Sequence, residues 1–78
     1  INFRLDNTAA ALTRVEAAFA GTGQREDIDG VSYSFADWRF NVRLSNTEPL
    51  LRLNVETRGD TALLAEKTDQ LRTLIEAG

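Results

Sequence analysis

One stretch of this chain has the residue types and spacing for ligand chemistry: Arg43-Leu44-Ser45-Asn46-Thr47-Glu48-Pro49-Leu50-Leu51-Arg52. Ser45, Asn46 and Thr47 are three consecutive short polar residues, tolerant of turn and left-handed conformations, that leave backbone N–H groups accessible. Successive N–H groups of this kind form anion-binding concavities, and the Ser and Thr hydroxyls add donors. Pro49 fixes the exit of the bend and restricts Glu48 to extended geometry. An arginine at each end supplies the planar fork that meets a phosphate or carboxylate bidentately. The same composition also suits an ordinary hairpin connection, and Arg52 also suits a solvent-face pairing with a carboxylate, worth about 0–1 kcal/mol.

The elements that must position these residues follow from the pattern on either side. Phe40, Val42 and Leu44 alternate with Arg39, Asn41 and Arg43, and Leu51, Leu53 and Val55 alternate with Arg52, Asn54 and Glu56, the period of two half-buried strands. If Val42 meets Leu53 and Phe40 meets Val55, the apolar positions coincide on the core face; a one-residue slip would turn one set outward. Arg43 and Arg52 then share the outer face, directly opposite or on a diagonal. Two cations so placed repel unless something negative lies between or above them, and Glu48, Glu56 or a bound anion can serve.

Elsewhere, Ile1, Phe3 and Leu5 alternate with Asn2 and Arg4 as an opening strand. Asp6 and Asn7 offer N-caps to an Ala-rich helix over Thr8 through Phe19, stopped by Gly21. A strand can begin at Gln24 to Ile28, with Asp29-Gly30 as a turn or bulge inside it and Val31, Tyr33 and Phe35 continuing it to a hairpin near Ala36-Asp37-Trp38. Asp60 caps a last helix carrying Leu64, Leu71 and Ile75 on one face, with Leu63 and Leu74 beside it. The expected architecture is α+β in the order β-α-β-β-β-α: a four-stranded antiparallel sheet with both helices packed on one face. Its other face, with Arg39, Asn41, Arg43, Arg52 and Asn54, meets water or another domain.

Composition narrows the function classes. The 78 residues carry a formal charge of -3, with nine Lys plus Arg against twelve Asp plus Glu, so a basic nucleic-acid footprint is not expected. Without His or Cys, zinc fingers, thiol or imidazole catalysis and disulfides are excluded. No apolar run approaches the length of a bilayer span, so no membrane partner is expected. Asp27, Asp29 and Asp37 cluster around Gly30 but lack the ordered ligand series of a calcium loop, so no metal site is expected. Tyr33 and Trp38 fit the edge of a core better than a stacking platform. Met is absent and the chain opens in mid-strand, so residues 1–78 read as a single domain of a longer polypeptide.

Arg43-x-Ser45-Asn46-Thr47-Glu48-Pro49 followed by Arg52 resembles the phosphate-binding loop in the C-terminal domain of the α-D-phosphohexomutases, in the phosphomannomutase/phosphoglucomutase group. The resemblance extends to Ile1-Asn2-Phe3-Arg4, Asp29-Gly30-Val31 and Leu53-Asn54-Val55-Glu56. It implies a TATA-box-binding-protein-like fold and the fourth domain of a four-domain cytoplasmic enzyme. Such enzymes interconvert hexose 6-phosphate and hexose 1-phosphate through a bisphosphate, using a phosphoserine and a magnesium ion that belong to other domains. It also implies substrate-phosphate contacts from Arg43, Ser45, Asn46 and Thr47, with Arg52 in support, and no catalytic residue or cofactor in this chain. The expected partners are hexose phosphates and the other domains of the same polypeptide. Many phosphoglucosamine members carry Gly where Asn46 stands, which tilts the implied substrate toward mannose or glucose phosphates. A reading from another class is a non-catalytic interaction module that holds a partner protein on the polar sheet face.

Overall fold

Both helices begin where a side chain can satisfy their free N–H groups. In the computed structural model, which describes residues 1–27 and 29–77, Asn7 Oδ1 accepts from the Ala10 N–H at 3.0 Å and opens α1 (Thr8–Phe19). Asp60 Oδ1 accepts from the Leu63 N–H at 2.9 Å and opens α2 (Thr61–Glu76). Helical spacing then aims Ala11, Val15 and Phe19 of α1, and Leu71 and Ile75 of α2, into one core. The Arg14 guanidinium joins the two helices by donating from Nε to Leu74 O and from Nη2 to Ile75 O, two carbonyls at the C-terminal end of α2.

The strands are β1 (Asn2–Arg4), β2 (Gln24–Glu26), β3 (Val31–Ser34), β4 (Trp38–Leu44) and β5 (Leu50–Thr57), in the sheet order β1-β5-β4-β3-β2, antiparallel throughout. Phe3, Tyr33, Phe40, Val42, Leu51 and Leu53 are buried on the helix-covered face. The aromatic part of the core is built around Phe19, whose ring packs against those of Tyr33, Phe35, Trp38 and Phe40 at centroid distances of 4.9 to 5.9 Å. Tyr33 stacks on Phe40, and Trp38 stacks on Phe35 with Lys67 Nζ 5.1 Å from its ring centre, so neither aromatic offers an open stacking face.

The α+β class and the antiparallel sheet agree with the expectation, but the sheet has five strands rather than four. What was expected as one strand from Gln24 to Phe35, with a turn or bulge inside it, is two strands that fold back on each other with Arg25 opposite Tyr33. Asp29 and Gly30 both take positive φ, 53° and 97°, which reverses the chain instead of bulging it. Ile28, included in the expected strand, lies outside the described residues. The three residues of β2 are all exposed, so no apolar alternation announces them. Arg25 ties this edge strand to α1 through Glu16 at 2.7 Å and meets Asp27 at 2.9 Å. The hydrogen bonds to Asp27 and then Glu16 push its pKa above the ordinary arginine value.

Candidate functional site

The β4–β5 hairpin fixes the site. Val42 stands opposite Leu53 and Phe40 opposite Val55, the register that keeps all four on the core face. Arg43 and Arg52 therefore lie directly opposite each other on the outer face. Between the strands, the Ser45 N–H donates to Leu50 O at 3.0 Å and closes the bend, and the Leu5 N–H donates to Pro49 O at 3.0 Å, fastening the exit of the bend to the segment after β1.

Arg43, Ser45, Asn46, Thr47 and Arg52 line one cavity of about 470 Å³, shared with Asn2, Leu44, Glu48 and Leu50. That volume falls within the usual range for small-molecule sites, about 300–1,000 Å³. All five residues singled out from the sequence are brought together. Inside the bend, Ser45 Oγ accepts from the N–H groups of Thr47 at 3.3 Å and Glu48 at 3.2 Å. The expected row of free N–H groups is thus partly occupied, by two long hydrogen bonds. The Asn46 N–H has no acceptor among the described residues. With Ser45 Oγ accepting twice, its own hydrogen is left to donate outward.

The charges are arranged differently from the expectation. Glu48 turns to Arg4 at 3.5 Å and Glu56 to Arg39 at 3.8 Å, so neither relieves the Arg43/Arg52 opposition. Asp29 does so instead, with Oδ1 3.5 Å from Arg43 Nε. It is brought there by the β2–β3 turn, which rests on β4: Asp29 O accepts from Asn41 Nδ2 at 3.3 Å, and a Cβ placed on Gly30 would lie 2.5 Å from Val42 O and 3.2 Å from Arg43 Cα. The pair is exposed, with 56% of the Arg43 side chain and 70% of the Asp29 side chain accessible, so it contributes about 0–1 kcal/mol and can be exchanged for another anion. Arg52 meets no carboxylate within ion-pair distance among the described residues; its Nε donates to Asn2 Oδ1 at 3.2 Å.

Asn2 and Asp29 were not among the expected site residues. The parity of the opening strand places Asn2 on the outer face beside Arg4, which is a signal for its side but not for its partner, 50 residues away. The cavity is lined by two guanidinium groups, two carboxamides, two hydroxyls and the Glu48 carboxylate. The guanidinium, amide and hydroxyl donors can hold an oxyanion. Among the described residues, Asp and Glu side chains nowhere gather in the groups of three that a metal would need, and no helix is long and apolar enough to cross a membrane.

Comparison with known proteins places this architecture. Residues 1–74 match the family model described as phosphoglucomutase/phosphomannomutase, C-terminal domain. A protein named phosphomannomutase from Salmonella montevideo is 55% identical over 78 residues, which is 99% of this chain and 17% of that protein. Another of the same name from Salmonella typhimurium is 58% identical over 76 residues, 96% of this chain and 17% of that protein. A protein of Xanthomonas campestris pv. campestris named phosphohexose mutases is 53% identical over 76 residues, again 96% of this chain and 17% of its own length. The chain thus spans about 17% of the length of the curated relatives it matches. With the family model covering nearly all of the chain, it belongs to the phosphoglucomutase/phosphomannomutase C-terminal domain family.

Proposed function

We propose that this domain holds a phosphate group of a hexose phosphate for a phosphohexomutase, and that the cavity between Arg43 and Arg52 is where it does so. The observation that carries the reading is the convergence of Arg43, Ser45, Asn46, Thr47 and Arg52 on one cavity. Membership in the family and the names of the relatives supply the substrate class. The reaction of the parent enzyme is the interconversion of hexose 6-phosphate and hexose 1-phosphate through a bisphosphate. On this reading its magnesium and phosphoserine belong to other domains of that enzyme.

The contribution of these residues is positional. An entering phosphate takes the place of Asp29 at Arg43 and receives hydrogen bonds from Arg52, the Ser45 and Thr47 hydroxyls and the Asn46 N–H. The bonds from the Thr47 and Glu48 N–H groups to Ser45 Oγ are long enough to yield to stronger acceptors. Fixing the phosphate that is not being transferred places the far end of the sugar at the reacting centre, so binding energy from a remote group is used for orientation. Because the site reads phosphate and little else, it accepts either end of the bisphosphate after the intermediate turns around. Domain closure would then exclude water from the reacting centre.

Charge-assisted hydrogen bonds contribute roughly 1.5–3 kcal/mol each, offset by association and ordering costs, so the chain by itself should bind with a dissociation constant on the order of 1 mM. Titrating hexose 6-phosphate into isotope-labelled chain should move the amides of Ser45, Asn46 and Thr47, and Arg43→Ala should abolish the response. Shifts confined to scattered surface amides at millimolar ligand would refute the reading.

A further inference from the structure

We infer that Asn2 is a positioning residue of the oxyanion site: it holds the Arg52 guanidinium through a neutral acceptor, leaving the charge of Arg52 uncancelled for the ligand. The inference rests on the phosphate-holding reading above and extends it to a strand outside the bend.

The placement of Asn2 is imposed by the core. β1 pairs with β5 so that Phe3 faces Leu51 and Asn2 faces Arg52. Phe3 and Leu51 are 7% and 0% exposed, and a one-residue slip of β1 would carry Phe3 into solvent. The Leu53 N–H to Ile1 O bond at 2.8 Å and the Leu5 N–H to Pro49 O bond hold the strand at both ends. Asn2 is thereby fixed on the outer face, lining the same cavity as Arg52, with Oδ1 3.2 Å from Arg52 Nε. The Nε–H can only donate, so the acceptor must be the carboxamide oxygen. With Nε held, the two Nη groups remain to fork onto an oxyanion.

The chemistry of the partner is the informative part. Arg4, Arg25, Arg39 and Arg43 each meet a carboxylate, and the chain carries twelve acidic residues to draw on. Arg52 stands directly opposite Arg43, where like charges repel. For stability alone, Asp at position 2 would serve better than Asn: it presents an oxygen at the same place, makes a charge-assisted bond and gives Arg52 the counter-charge that Asp29 gives Arg43. Asn keeps the orientation and forgoes that counter-charge. The arrangement gives up some stability to keep a net positive charge in the cavity.

The reciprocal variants Asn2→Asp and Asn2→Ala test this by titration with inorganic phosphate, read on the amides of Ser45, Asn46 and Thr47, alongside urea unfolding. Asn2→Asp should weaken phosphate binding by about tenfold, equivalent to about 1.4 kcal/mol, while leaving the urea midpoint equal or higher. Asn2→Ala should weaken binding only about twofold, and in an Arg52→Gln background it should have no further effect. A purely structural role predicts the opposite order, because Asn2→Asp preserves the hydrogen bond that Asn2→Ala removes. Binding by Asn2→Asp equal to wild type, or tighter than Asn2→Ala, overturns the inference. If wild type shows no phosphate response, or Ser45→Ala and Arg43→Ala leave it intact, the phosphate-holding reading falls and this inference with it. If those controls lose binding while Asn2→Asp does not, only the role of Asn2 is refuted.

Discussion

Replacing Gly30 by Ala tests whether the β2–β3 turn rests on β4, the contact that brings Asp29 to Arg43. Two costs combine at this position. An L side chain at φ of 97° is strained by about 1–2 kcal/mol, partly offset by about 0.4–1 kcal/mol from the stiffer unfolded chain. The new Cβ would also lie 2.5 Å from Val42 O, a backbone atom within a paired strand, so the turn must lift away from Val42 and Arg43. The expected total is a loss of about 2–4 kcal/mol. Gly59→Ala is the matched control: its φ of 80° is equally left-handed, but its Cβ meets nothing within 4 Å, so only the backbone strain remains, about 0–1.5 kcal/mol. With a urea slope of about 1 kcal/mol/M for so small a chain, Gly30→Ala should lower the unfolding midpoint by about 2 M or more, and Gly59→Ala by no more than about 1.5 M. Equal midpoints for the two variants would refute the packing of the turn against β4.

Three further outcomes follow from the packing. Phe40→Ala removes a ring that is 1% exposed and contacts Phe19, Tyr33 and Trp38, so unfolding by urea should show a loss of about 3–5 kcal/mol. Arg14→Met keeps much of the stem but loses both bonds to Leu74 O and Ile75 O; hydrogen exchange should speed up in the last turn of α2 while the sheet keeps its protection, with a global cost of about 1–2 kcal/mol. Asp60→Ala removes the acceptor for the Leu63 N–H and should cost about 1 kcal/mol in the same urea assay, with the loss concentrated at the start of α2.

The sequence made local periodicity legible and left cross-chain partners obscure. Phe40, Val42, Leu53 and Val55 determine parity because a slip would expose them, so the pattern alone puts Arg43 and Arg52 on one face, directly opposite or on a diagonal, and the β4–β5 ladder makes them direct partners. Gln24, Arg25 and Glu26 carry no apolar side chain, and β2 is defined instead by its ladder to β3 and by the ties of Arg25, so periodicity alone merges it with the strand that follows. Asp29-Gly30 gave a turn signal, but bulge and reversal share that signal, and only the pairing of Arg25 with Tyr33 separates them. Around the site, the bend residues were recognisable because they are consecutive. Asp29 and Asn2 were not, since their contacts with Arg43 and Arg52 span 14 and 50 residues of chain and depend on which strands become neighbours. Glu48 and Glu56 were both open as counter-charges, yet Glu48 meets Arg4 of β1 and Glu56 meets Arg39.

On the proposed function, the bend should recognise a phosphate whichever end of a hexose bears it. The most direct measurement is a comparison of hexose 1-phosphate, hexose 6-phosphate and the unphosphorylated hexose as titrants of the Ser45, Asn46 and Thr47 amides. The two phosphates should bind within about threefold of each other, on the order of 1 mM, and the free sugar should leave those amides unmoved. A free sugar that moves them as strongly as its phosphates, or a bend that responds to neither phosphate, would rule out phosphate recognition by the bend.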